Sequence, residues 1–200
     1  MRLRLALAGV VAGAAALAAA PAPALHAAPA GVTVLSVGDP RGDVQGPRAA
    51  LRKQRLVAAA DMTYVSSVVY KVVALIKFKQ HKDNPVGTSC CAPPRELRHT
   101  LVMEFPDATL LGEVSQRNVR GKRVRHFSLS TVTSDGDHRV LKGVRGGVRQ
   151  GGRVVWMKVP LDQLPGDVAS RGVVTTALTL AGGKRTLRDA VSFAEVDFRR

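Results

Sequence analysis

The sequence predicts an all-β protein: an antiparallel two-sheet β-sandwich, jelly-roll or immunoglobulin-like, with a β-barrel as the alternative. Three observations carry this. The stretch Val68–Gln80 reads VVYKVVALIKFKQ, and such β-branched and aromatic residues favour extended backbone over helix. Turn signals recur about every ten residues, the spacing of short strands joined by tight connections. No long amphipathic helix and no internal repeat runs through residues 28–200.

The N-terminal segment stands apart from the fold. Met1–Arg4 is short and basic, and Leu5–Ala20 is an apolar run rich in Ala, Leu and Val. Small residues around Ala22, Ala24 and Ala27 follow. This order is that of a secretory signal peptide over 1–27, cut between Ala24 and Ala28. The apolar run ends in Pro21 and Pro23, short of a membrane span. The expectation is a protein exported to the extracellular space or cell wall, with no transmembrane span in the mature chain.

Residues 28–55 are expected to hold a leader and a first strand at Val32–Val37, and 56–198 the β-sandwich domain. Asp39-Pro-Arg-Gly-Asp43 is a Pro/Gly turn, and its Arg41-Gly42-Asp43 tripeptide is read as part of that turn. Leu56–Val65 is expected to be a second strand, turning at Ser66-Ser67 into Val68–Gln80. Within that stretch Val68, Tyr70, Val72, Ala74, Ile76 and Phe78 share one apolar face by alternation. Lys71, Lys77 and Lys79 lie on the other. His81–Pro94 reads as a long loop carrying Cys90 and Cys91, the two cysteines of the chain. Strands are expected at Leu97–Phe105, Thr109–Gln116 and Val124–Thr133, with a basic turn around Gly121 between the last two. Asp135-Gly136 then marks a hairpin, since Gly tolerates the positive φ of a tight turn. Its partner is Arg139–Arg149. Arg153–Val159, Arg171–Leu180 and Arg185–Phe198 complete the count, the last with a helical turn near Asp189-Ala190.

The 30 Lys and Arg against 15 Asp and Glu bear on partners more than on fold. Removal of 1–27 takes away only Arg2 and Arg4, so the excess survives processing. Such a chain attracts polyanions, and outside a cell an anionic cell-wall polymer or polysaccharide is the expected partner. Lys71, Lys77 and Lys79 form one candidate contact group, and Arg120, Lys122, Arg123 and Arg125 a second. Aromatic residues for base stacking are few, which argues against a specific nucleic-acid ligand. Trp156 is first expected to be buried, as Trp commonly is, and second to be a contact on a ligand face. The bland alternative is that the charge serves solubility alone.

Among the acids, Asp39 and Asp43 lie four residues apart and Asp61 near a strand start. Oxygens so placed suit Ca²⁺, the single cofactor the sequence puts forward; capping of turns by Asp side chains is the competing reading. Cys90 and Cys91, even with His81 and His99, supply a poor ligand set for a soft metal. No Gly-x-Ser-x-Gly elbow, paired metal-binding histidines or dinucleotide fingerprint occurs, and neither Asp135, Asp137 and His138 nor Glu104 and Asp107 form a catalytic pattern. The reading is therefore a non-catalytic secreted binding module rather than an enzyme, with a structural or interaction protein of the cell envelope as the alternative.

The signal segment, Asp39–Asp43, the Asp61–Lys79 hairpin, and Leu141-Lys-Gly143 leading through Val154–Pro160 to Leu164 together resemble the small secreted β-sandwich proteins common in high-GC actinobacteria, mostly of unassigned function. The resemblance covers about residues 37–198 and implies fold and location. Relatives often carry a cysteine pair flanking the later hairpin; Leu141 and Gln163 stand at those places here.

Overall fold

The computed structural model describes residues 31–81, 94–120, 122–150, 153–180, 183 and 185–199. The segment 1–27, read from the sequence as a signal peptide, and the Cys90–Cys91 pair lie outside these residues. Alternation of apolar and polar side chains, which favours sheets buried on one face, builds two antiparallel sheets facing each other. Sheet A contains β1 (Val32–Gly38), β2 (Met62–Tyr70), β3 (Val73–Gln80), β8 (Arg145–Arg149) and β9 (Val154–Pro160), in the order β1-β2-β3-β9-β8. Sheet B contains β4 (Glu96–Glu104), β5 (Ala108–Val119), β6 (Lys122–Thr133), β7 (His138–Val140), β11 (Arg171–Thr179) and β12 (Thr186–Phe193), in the order β12-β11-β4-β5-β6-β7. A small ribbon pairs β10 (Val168–Ala169) with β13 (Val196–Asp197). The sheets remain open, so the fold is the expected sandwich and not the barrel.

The core lies between the inward rows. Ala74, Ile76 and Phe78 of β3 and Val155, Met157 and Val159 of β9 meet Leu101, Met103, Leu110, Val114 and Leu129 of sheet B. Gly112 makes room for this interlock: a Cβ there would stand 2.8 Å from Met157 Sδ. Phe105 and Phe198 stack with centroids 6.2 Å apart, just past one end of β4. At the other end of β4 a second cluster gathers Leu97, Leu178 and Leu187 under Val44, Ala50 and Ala60.

That second cluster is covered by two short helices, α1 (Arg48–Leu51) and α2 (Gln54–Ala60). The expected strand at Leu56–Ala60 is thus a helix, and β2 begins only at Met62. Alanine is the best helix former, and Ala59 and Ala60 are small enough to pack tightly under the sheet ends. Gln80 Nε2 donates 2.8 Å to the Ala59 carbonyl, tying the end of α2 to β3. The sandwich takes in β1 as well, since β1 pairs along β2.

Three further expectations need correction. Val68–Gln80 is not one strand: it is broken at Lys71-Val72, which connect the paired residues Tyr70 and Val73, while Ser66-Ser67 run straight within β2. A two-residue loop places Tyr70 and Val73 on the same face. The inward positions therefore change from Val65, Ser67 and Val69 to Ala74, Ile76 and Phe78. Val68 and Tyr70 face outward with Lys77, against the expectation. Arg139–Arg149 is likewise two strands, β7 in sheet B and β8 in sheet A, and the chain crosses between sheets through Gly143 at φ +70°. Finally, β12 passes through Asp189-Ala190 without a helical turn.

Candidate functional site

The outer face of sheet A follows from strand parity and register. In β9, Val155, Met157 and Val159 fill the core, so Val154, Trp156 and Lys158 point outward. Trp156 is half-buried and not a core residue, a correction of the first expectation: the inward positions beside it are taken by smaller apolar side chains. Register then fixes its surroundings. Lys77 and Gly147 lie directly across from Trp156 on β3 and β8, Lys79 and Arg149 across from Val154, and Leu75 and Arg145 across from Lys158.

Trp156 is thus the centre of a three-by-three grid of outward side chains. Of the eight positions around it, five are basic (Lys77, Lys79, Arg145, Arg149, Lys158), two aliphatic, one glycine and none acidic. The Arg149 guanidinium sits 5.2 Å from the ring centroid, in cation–π range. Gly147 presents no side chain beside the ring, and its Cβ position would lie 3.4 Å from Trp156 Nε1. With Tyr70, Lys71 and Val72 at one end and Gln150 at the other, these residues line an open cleft of about 750 Å³. Among the described residues no carboxylate lines it. The surface combines an aromatic platform, a ring of cations and an open cleft that an extended polymer can enter.

The second basic group lies elsewhere. Arg120 is in the turn between β5 and β6 at φ +51°, and Lys122, Arg123 and Arg125 are exposed on β6 of sheet B. Acidic residues stand beside this group, paired with other arginines. Glu96 lies 2.9 Å from both Arg98 and Arg117, and Arg98 lies 3.6 Å from Glu113. Arg98, Arg117 and Glu113 line one cleft with Arg125, and Glu96 and Arg117 another with Arg120. So Lys71, Lys77, Lys79 and Trp156 come together, while Arg120, Lys122, Arg123 and Arg125 form a separate hairpin surface. Sequence reasoning missed Arg145, Arg149 and Lys158 as members of the grid. The alternation Val154, Trp156, Lys158 held the signal for Lys158; the β8 arginines required the pairing of β8 with β9.

The three aspartates put forward from sequence do converge, and Asp189 of β12 joins them. Each offers one carboxylate oxygen, and these oxygens lie within 4.8 Å of one another. Arg41-Gly42-Asp43 is the expected turn, with Gly42 at φ +88°. The Gly42 amide donates to Asp61 Oδ2 at 3.1 Å, so Asp61 also caps the turn. Asp189 accepts from the amides of Met62 (2.6 Å) and Ala190 (2.8 Å). Burial, with the negative charges of Asp189, Asp43 and Asp61, pushes the Asp39 carboxyl up to about 7. Burial also raises Asp61 and Asp189, against the hydrogen bonds they accept.

The remaining candidates do not assemble. His99 is fully buried in sheet B beside Thr176, Glu104 pairs with Arg171 at 2.6 Å, and Asp135, Asp137 and His138 are exposed at the β6–β7 turn. No family model, no curated protein and no solved structure matches this chain.

Proposed function

We propose that this protein is a non-catalytic binding module of the extracellular space, and that the outer face of sheet A holds an anionic polysaccharide or related anionic wall polymer. The grid around Trp156 is the observation that carries the reading. A sugar ring laid on an indole face gains apolar contact, while carboxylate, sulfate or phosphate groups along the polymer meet the surrounding Lys and Arg. Export through segment 1–27 belongs to the same reading, as does kinship with the small secreted actinobacterial β-sandwich proteins.

Retention of the purified protein on heparin and on isolated cell-wall polymer, across a salt series, tests it. The expected result is retention that weakens with salt on both, with one polymer still held when screening is strong. Trp156→Ala is expected to abolish that residual retention, and Lys77→Ala with Lys158→Ala to weaken binding at every salt. Absence of salt-dependent retention on either polymer, or a Trp156→Ala protein that binds as well as the parent, overturns the reading. The envelope-structural role would then lead.

A further inference from the structure

Four of the chain's 15 acidic residues gather at one point of a strongly basic protein. Among the described residues no Lys or Arg forms an ion pair with any of them. Arg41 and His81 come near enough to favour the charged form of Asp61, and Arg188 lines the same cleft as Asp43 and Asp189. Carboxylates are held this close, and partly out of water, only against their mutual repulsion.

Two buried oxygens make the arrangement more than a crowd of acids. Asp61 is 3% exposed, and its Oδ1 has no hydrogen-bond partner although its Oδ2 receives the Gly42 amide. Asp39 Oδ2 is also buried without a partner. A buried carboxylate oxygen with nothing to accept from is costly. Both belong to carboxylates of the converging group, and a cation bound there would give such an oxygen a partner.

We propose that Asp39, Asp43, Asp61 and Asp189 bind one Ca²⁺ ion that clasps the two sheets together at the helix-covered end of the sandwich. An all-oxygen, all-carboxylate donor set suits a hard cation and excludes soft ones. Ca²⁺ holds its oxygens at about 2.3–2.6 Å, so opposite ligands of one ion stand roughly 4.6–5.2 Å apart. Four oxygens that all lie within 4.8 Å of one another fit one such shell, and a set drawn from a turn, a helix–strand junction and a strand suits the flexible coordination of Ca²⁺ better than the near-ideal octahedron that Mg²⁺ demands. Asp43 is exposed, and with Asp189 it lines a cleft of about 400 Å³ that leads in from solvent. The ligands come from three places: the turn after β1, the junction of α2 and β2, and β12 of the opposite sheet. Asp189 already spans the sheets through its bond to the Met62 amide, and the ion would add the 39–43 turn to that link.

This site is independent of the polymer-binding face, and its test involves no polymer. The purified protein is stripped with a chelator, then titrated with CaCl₂ by calorimetry and melted with and without the ion, using MgCl₂ and NaCl as controls. One Ca²⁺ per chain is expected, with a rise in Tm of about 5 °C or more at a hundredfold excess over Kd. Asp43→Asn, an exposed change that the fold tolerates, is expected to weaken Ca²⁺ at least tenfold. Asp61→Asn is expected to abolish binding. No heat and no Tm shift up to millimolar Ca²⁺, an equal response to Mg²⁺ or Na⁺, or Ca²⁺ binding unchanged in Asp43→Asn would each overturn the proposal.

Discussion

His99 is a basic group where no charge can be accommodated. It is wholly buried in β4, with Nδ1 3.0 Å from Thr176 Oγ1 and no partner at Nε2. Burial pushes its pKa down to about 4. In the unfolded chain the same imidazole titrates near its ordinary 6.5. Between those values the unfolded state binds a proton that the folded state refuses, so the His99 contribution to stability falls as pH drops from 6.5 towards 4, while the raised Asp39, Asp61 and Asp189 carboxyls pull the other way. The shift corresponds to about 3 kcal/mol over that window. Urea unfolding at several pH values, on the parent and on His99→Gln, checks this. The expected outcome is that the parent loses about 3 kcal/mol relative to the variant between pH 6.5 and 4, whatever the variant's stability at neutral pH. An unchanged difference between parent and variant across that window would show that His99 does not carry this acid sensitivity.

At the scale of the element, β8 shows how parity gives neighbouring identical residues opposite roles. Gly146 faces the core, where a Cβ would lie 2.3 Å from the Phe127 ring of β6. Gly147 faces outward, where a Cβ would meet Trp156 at an ordinary 3.4 Å. Gly146→Ala is expected to cost about 1–3 kcal/mol by overpacking. Gly147→Ala should leave stability within about 0.5 kcal/mol, but crowd the edge of the indole and reduce polymer retention at high salt. Denaturant melts and the salt-series columns on both variants separate the two effects. Equal destabilisation by the two changes would contradict the register on which the grid rests. The same parity explains what sequence reasoning missed in β2 and β3. Val68, Val69, Tyr70, Val72 and Val73 are apolar on both faces, so alternation carries no information there. Lys71-Val72 turns without a positive φ, and so lacks the Gly or Asn that marks most tight hairpins.

At the scale of the molecule, the sandwich and the strands β4, β5, β6, β9 and β11 were legible because one-face burial forces alternation along each strand, whereas the division of Arg139–Arg149 between the sheets and the β10–β13 ribbon were not. Asp39, Asp43 and Asp61 were legible as a group because they flank one turn and one strand start. Asp189 was not, since only the packing of β12 beside β2 brings it within reach from more than a hundred residues away. The basic grid was half legible for the same reason: Lys77 and Lys79 share a strand, whereas Arg145 and Arg149 depend on the crossing from β7 to β8. These long-range placements divide the positive charge into two surfaces that ought to behave differently. The hairpin residues Arg123 and Arg125 are exposed and lack an aromatic platform, and Arg125 shares a cleft with Glu113, so they contribute to the long-range field rather than to a shaped contact. In about 0.1 M salt, where the screening length is ~10 Å, Arg123→Glu with Arg125→Glu should slow association with an anionic polymer. In about 1 M salt, where that length shrinks to ~3 Å, the same variant should bind like the parent. Trp156→Ala should do the reverse, changing association at low salt little and speeding dissociation at both salts. Association and dissociation rates measured on immobilised polymer at the two salt concentrations decide the matter. If the hairpin variant loses its high-salt binding while Trp156→Ala keeps it, the contact surface lies on sheet B and the grid on sheet A is a bystander.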